Sequence, residues 1–228
     1  MVLGLAAPER VAAVSHEAAA DPLFAGRLAV DMPRVRADAE AILALRPTLV
    51  VRSYAGGARL EAMLQRAGVR VFTLPYADSL DAVRAGVLAS GEALDARPAA
   101  EARVRQFDQE VARVDPVGGL ALYTTPGDFS AGPDTLIGEM IHRSGWINAE
   151  RRAGWHRLDA ERLIANPPQL VIRAFGESKA HRTDNWSRSD HAALRNAFAN
   201  SAGIAIPGSW VACGNWRIGH AVTRLRGM

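Results

Sequence analysis

Ser15-His16-Glu17 holds the residue types of a hydrolytic triad: a hydroxyl, an imidazole and a carboxylate. Neighbouring residues on an extended strand end point to opposite sides, so these three cannot pass a proton from nucleophile to base. His16 keeps two simpler roles, as an axial ligand to a metal already held in a chelate or as a hydrogen-bond donor. The other histidines, at 142, 156, 181, 191 and 220, lack metal-ligand spacing, so no preformed protein metal site and no resident cofactor are expected. The one cysteine, Cys213, excludes an internal disulfide and a cysteine-based metal cluster. No Gly-x-Ser-x-Gly elbow, no Gly-Lys phosphate loop and no His-Glu-x-x-His pair occurs, and no catalytic residue is assigned. Tyr54-Ala-Gly-Gly-Ala precedes a predicted helix and could cradle an anion on its amides, but it is too short for a dinucleotide fingerprint.

The aromatic residues form a more coherent pattern. They make up 6% of the chain, yet Tyr54, Tyr76, Phe129, Phe175, Trp210 and Trp216 all fall just beyond predicted strands. Ligands of open parallel sheets bind beyond the carboxyl ends of the strands. With His16, these six form the predicted ligand-binding set, suited to gripping a large, partly apolar ligand with rigid rings. The competing reading is that the rings plug loop bases and lobe interfaces. Glu61 and Glu139 occupy equivalent places on the helices that follow strand-end loops; they could meet arginines of a two-fold partner or simply be solvated helix charges.

An internal repeat supplies the elements that must position these residues. Residues 39–54, AEAILALRPTLVVRSY, and 160–175, AERLIANPPQLVIRAF, align at a constant offset of 121 with seven identities in sixteen pairs. Each copy reads as a short amphipathic helix, a proline that ends it, and an apolar strand. Ala67-Gly-Val-Arg-Val-Phe and Ala202-Gly-Ile-Ala-Ile-Pro continue the pattern at an offset of 135, which places an insertion of about fourteen residues in Gly176 to Asp190. Arg10-Val-Ala-Ala-Val and Gly119-Leu-Ala-Leu-Tyr are strand candidates upstream of the copies. Each half therefore reads strand, helix, strand, helix, strand. Between the halves, Ser79 to Ala96 and Pro98 to Val114 have helical apolar spacing, with Ser79 and Pro98 as start signals.

The fold class that results is α/β: two Rossmann-like lobes with parallel sheets, residues 1–97 and 115–228, joined by a long backbone helix over 98–114. With 228 residues, 49% hydrophobic and 22% charged, the chain is globular in composition. Formal net charge is +3, and 26 of the 27 basic residues are arginines scattered singly among apolar neighbours. A nucleic-acid partner, which needs a basic stripe on one face, is not expected. The opening Met1-Val-Leu-Gly-Leu-Ala-Ala lacks the basic leader of a signal peptide, and no run approaches the ~20 apolar residues that span a bilayer.

Pro8-Glu-Arg-Val-Ala-Ala-Val-Ser, Ala41-Ile-Leu-Ala-Leu-Arg-Pro-Thr-Leu-Val-Val, Ala67-Gly-Val-Arg-Val-Phe, Phe129-Ser-Ala-Gly-Pro-Asp-Thr-Leu and Trp210-Val-Ala-Cys-Gly-Asn-Trp carry a resemblance over nearly the whole chain. Together they resemble the periplasmic substrate-binding proteins of ABC importers for iron chelates, haem and cobalamin. The resemblance implies a monomer that captures a corrinoid or an iron chelate (siderophore or haem) between two lobes and delivers it to a membrane permease. The metal then belongs to the ligand, as iron or cobalt. It implies further that Tyr54, Trp210 and Trp216 contact the ligand and that Glu61 and Glu139 meet the permease. Few arginines stand at the predicted strand ends, which leans toward cobalamin or a related tetrapyrrole over a hydroxamate siderophore. Relatives carry a signal peptide and a first strand ahead of the Pro-Glu-Arg segment, and this chain is expected to lack both. Two alternatives stay open: an enzyme on a related two-lobed scaffold, of chelatase or reductase type, using His16 with Glu17 or Asp128; and a truncated cytosolic paralogue without a transport role.

Overall fold

The computed structural model describes residues 1–16, 29, 31–53, 57–175 and 192–228. Two compact units result: Met1–Tyr76 with Ala85–Arg103, and Ala77–Arg84 with Val104–Met228.

In the first unit, the first copy of the repeat folds as read. Asp38 accepts from the Ala41 amide at 3.0 Å and starts helix α1, Ala39–Ala44. Arg46, at φ 49°, turns the chain into strand β3, Leu49–Arg52. Helix α2, Ala58–Arg66, then leads to β4, Arg70–Thr73, which pairs parallel with β3 from Leu49↔Arg70 to Arg52↔Thr73. Gly68, at φ 79°, closes α2: its amide donates to the Gln65 carbonyl at 3.0 Å, and the Val69 amide donates to Leu64 at 3.0 Å. Ile42, Leu64 and Val69 form the local core against Val35, Val50 and Val71.

The upstream strand differs from expectation. Pro8–Arg10 form a 3-10 turn, and only β1, Val14–Ser15, is extended, paired parallel with the unforeseen β2, Arg34–Val35. Proline suits the first position of a turn and offers no ladder donor, which delays strand pairing. Among the described residues, this unit thus holds two separate two-stranded sheets where one continuous sheet was expected.

Helices α3, Leu80–Ala93, and α4, Arg97–Glu110, match the two expected helical stretches with shorter ends. Ser79 accepts from the Ala82 amide at 3.2 Å, and Pro98 sits in the first turn of α4. Asp95, at φ 52°, separates them. A Cβ on Gly91 would stand 2.3 Å from that of Ala100, so only glycine admits this close approach of the two helices.

The second unit is built on a four-stranded parallel sheet. Its strands are β5, Leu120–Thr124, β7, Ile147–Asn148, β9, Leu170–Ala174, and β10, Ala202–Ile206, in spatial order β10-β9-β5-β7. The expected strands are present, and β7 adds an edge. An antiparallel pair lies outside this sheet: β6, Phe129–Ala131, and β8, Trp155–Arg157. Thr135 caps α5, Leu136–Arg143, and Asp159 caps α6, Ala160–Ala165, by accepting from Arg162 N at 3.1 Å. Asp159 stands 121 residues after Asp38, so the repeat begins one residue earlier than the aligned stretch. Helix α7, Ala192–Ala197, brings Leu194 into a core with Leu122, Leu158 and Leu163. Helices α8, Gly208–Val211, and α9, Ile218–Arg226, close the chain. The predicted insertion, Gly176 to Asp190, lies wholly outside the described residues.

Candidate functional site

The second unit gathers an aromatic and cationic face just beyond the carboxyl end of β5. After Thr124 the chain makes a tight turn: the Asp128 amide donates to the Thr125 carbonyl at 2.9 Å, and the Thr125 amide donates to the Phe129 carbonyl at 3.1 Å. Asp128, buried and at φ 59°, lets β6 fold back against β8. The register pairs Phe129 with Arg157, Ser130 with His156 and Ala131 with Trp155. Side chains alternate along a strand, so Phe129, Trp155 and Arg157 share one face and Ser130 lies on the other. Phe129 is 37% exposed and Trp155 48%, whereas Ser130 is buried. The Arg157 guanidinium carbon lies 5.2 Å from the Phe129 ring centroid, a cation–π contact. Trp155 meets buried Tyr123 edge to face, with centroids 6.0 Å apart.

A charged network ties this ladder to the chain around it. Glu150 is 1% exposed and accepts from Arg152 Nε at 2.9 Å, from Arg152 Nη2 at 2.8 Å and from the Arg152 amide at 3.0 Å. Arg162 Nη2 stands 3.4 Å from the same carboxylate and its Nη1 donates to the Ala149 carbonyl. Burial alone raises the Glu150 pKa, but the Arg152 hydrogen bonds and the two guanidinium charges outweigh it and bring the carboxyl down to about 2. Arg152 also donates to the Arg157 carbonyl at 3.1 Å, and Asn148 donates to the Ala131 carbonyl at 2.8 Å, so both strands of the ladder are tied to the sheet edge. An open depression beside β8 is lined by Arg152, Arg157, Leu158, Asp159, Ala160 and Glu161.

The predicted site residues take varied positions. Phe175, at φ 63°, follows β9 and lies flat on Gly208, where a Cβ would approach its ring to 2.2 Å. Trp210 is half-buried and meets His220 edge to face at 5.7 Å; His220 Nδ1 stands 3.2 Å from the Glu110 carboxylate. Trp216 is 2% exposed, a core side chain although it follows a strand in sequence. In the first unit, His16 is exposed after β1, and Tyr76, beyond β4, is 59% exposed. Tyr54 lies outside the described residues, as do Glu17, His181 and His191. Glu61 accepts from Arg52 at 2.7 Å and from Gln65 at 3.3 Å. Glu139 accepts from the Leu80 amide at 2.7 Å and so caps α3. Asp128, the carboxylate of the enzymatic alternative, is buried in the turn before β6.

Trp155 and Arg157 were missed by the sequence reading, which searched only the residues directly after predicted parallel strands. The sequence carried little local signal for them, because each strand of the ladder is only three residues long. Among the described residues, no group of His, Cys, Asp or Glu could hold a metal ion, and no helix is long and apolar enough to cross a membrane.

A family model described as periplasmic binding protein matches residues 26–207. A cobalamin-binding protein of Halobacterium salinarum is 23% identical over 178 residues, which cover 73% of this chain and 48% of that protein. The chain thus spans about half the length of the curated relatives it matches. Among solved structures, the periplasmic haem-binding protein HutB of Vibrio cholerae superimposes with a TM-score of 0.77 at 18% identity, over 99% of this chain and 93% of that one. The periplasmic haem-binding protein BhuT, in complex with two haems, gives a TM-score of 0.66 at 26% identity, over 88% and 83%.

Proposed function

Since this chain belongs to the periplasmic binding protein family, a family of non-enzymatic solute-binding proteins, we propose that it is the capture component of an ABC importer. Its cargo is haem, cobalamin or another metal chelate, and it hands that cargo to a membrane permease from the periplasmic side. Family membership sets aside the enzymatic alternative. In this reading the chain is a monomer, with Rossmann-like lobes over residues 1–97 and 115–228 and a backbone helix over 98–114.

The observation that carries the reading is the face of Phe129, Trp155 and Arg157, large rings left exposed on a ladder that is anchored from behind. Exposed aromatic surface of this kind costs solvation free energy unless a ligand covers it, and flat rings best cover a flat, partly apolar ligand. Phe175 and Trp210 extend the aromatic set at the ends of β9 and β10, and Tyr54, Tyr76 and His16 are kept as proposed ligand contacts on the ground of the sequence alone. Trp216, 2% exposed, offers a ligand little surface. Glu61 and Glu139 are the proposed permease contacts. Both are partly engaged within the chain: Glu61 accepts from Arg52 and Gln65, and Glu139 accepts from the Leu80 amide.

Titration of the purified protein with hemin, cyanocobalamin and a ferric hydroxamate, followed by tryptophan fluorescence, tests the reading. Saturable quenching by one of them is the expected result, since Trp155 lies at the surface where the ligand would settle. A folded protein that binds none of the three contradicts it.

A further inference from the structure

We infer that Arg157 reads a carboxylate on the rim of the ligand, so that this protein selects a flat macrocycle bearing peripheral carboxylates over one whose rim is amides. The inference rests on the capture reading above and narrows its cargo.

Two of the arginines in this region are already committed. Arg152 is bound to Glu150 through two nitrogens, and Arg162 divides its guanidinium between Glu150 and the Ala149 carbonyl. Of the nearby carboxylates, Glu150 is held by those two arginines, and Asp159 accepts from the Arg162 amide with its second oxygen 3.9 Å from Arg162 Nε. Glu161 lines the same depression as Arg157 but forms no ion pair with it. Among the described residues, no carboxylate or carbonyl accepts a hydrogen bond from the Arg157 guanidinium. Its one placed contact is the Phe129 ring at 5.2 Å.

That contact sets both position and chemistry. A cation–π contact over a ring restrains the guanidinium without consuming its N–H donors, which remain available in the fork that matches a carboxylate bidentately. The backbone beneath is fixed, because the Arg157 carbonyl accepts from Arg152 and the residue is paired with Phe129 in the ladder. Trp155, two residues away on the same face, offers the apolar ring surface that a flat macrocycle needs. A macrocycle lying on Trp155 and Phe129 would therefore present its edge to a preorganised, unneutralised cation. Haem carries two propionates on its rim, whereas the corrin rim of cobalamin carries amides, which are neutral and offer one oxygen each, so they cannot form the bidentate ion pair. The sequence preference for cobalamin, drawn from a scarcity of strand-end arginines, did not count Arg157.

Hemin, hemin dimethyl ester and cyanocobalamin titrated into wild-type, Arg157→Gln and Arg157→Lys proteins at neutral pH separate the possibilities. The ester keeps the ring and the iron and removes only the rim charge. Wild type is expected to bind hemin about tenfold or more tightly than the ester. Arg157→Gln should bring the two within about twofold, and Arg157→Lys should restore part of the preference. A merely structural role for Arg157 would weaken acid and ester alike and leave their ratio unchanged. Equal binding of acid and ester by wild type, or a preference that survives in Arg157→Gln, overturns the inference and leaves capture standing. If none of the three ligands binds the folded protein, the capture reading falls and takes this inference with it.

Discussion

The two copies of the repeat share a local plan and differ in what surrounds it. In both, an aspartate caps a six-residue helix, a proline follows, and an apolar strand runs into a parallel sheet. In the first unit that strand, β3, pairs with β4 alone, and all four of its side chains are only half-buried. In the second unit its counterpart, β9, lies between β10 and β5, and every side chain except that of Arg173 is buried. Similar residues thus form the same local structure, while burial, and with it most of the stabilisation, is set by the neighbours. The same contrast holds for the site: the second unit carries its aromatic residues on an anchored ladder, and the first presents His16 and Tyr76 as exposed side chains beyond two-residue and four-residue strands.

The sharpest way to break this comparison is to make the same deletion in both copies. Val171→Ala, in the buried strand, is expected to cost about 2–3 kcal/mol, and Val50→Ala, its counterpart at the same offset, about 1 kcal/mol. Urea denaturation of the two variants measures both, and equal losses would contradict the claim that neighbours set the contribution. Next in size is the network that exists only in the second unit. Glu150→Gln should destabilise by about 2 kcal/mol at neutral pH, because it removes charge-assisted bonds to Arg152 and Arg162.

The pH dependence of that loss follows from its sign. The folded pKa of Glu150 is depressed from 4.5 to about 2, so its contribution is fully present above pH 4.5 and is lost as the pH falls toward about 2. Wild-type stability should therefore decline more steeply than that of Glu150→Gln across this window, and parallel declines in thermal melts would argue against the network. The smallest expected effect is the one on which the two copies agree. Asp38→Ala and Asp159→Ala each remove one helix cap and should each cost about 1 kcal/mol. A large difference between them in urea titrations would show that even the shared part of the repeat depends on context.

The features legible in the sequence were those that are local and periodic. The helix, proline and strand of each copy, the strands at Leu120, Leu170 and Ala202, and the capping role of Ser79 all follow from spacing over ten or so residues. The ladder of β6 and β8 did not, since three residues offer too little alternation to distinguish a strand from a turn. Glu150 bound to Arg152 and Arg162 is partly a contact across twelve residues, which no spacing rule marks. Trp216 stands after a predicted strand, yet its size and apolar surface take it into the core. Strand-end position alone therefore does not fix exposure, and cross-strand pairing, visible only in the fold, brings Trp155 and Arg157 onto one face with Phe129.

If the ladder face of the second unit captures a flat metal chelate, removing its most exposed ring must weaken capture. Hemin titrated into wild-type and Trp155→Ala proteins, with absorbance as the readout and circular dichroism confirming the fold, should saturate in wild type and bind about tenfold more weakly in the variant. Saturable binding that is indifferent to Trp155 would contradict the account and place the ligand elsewhere.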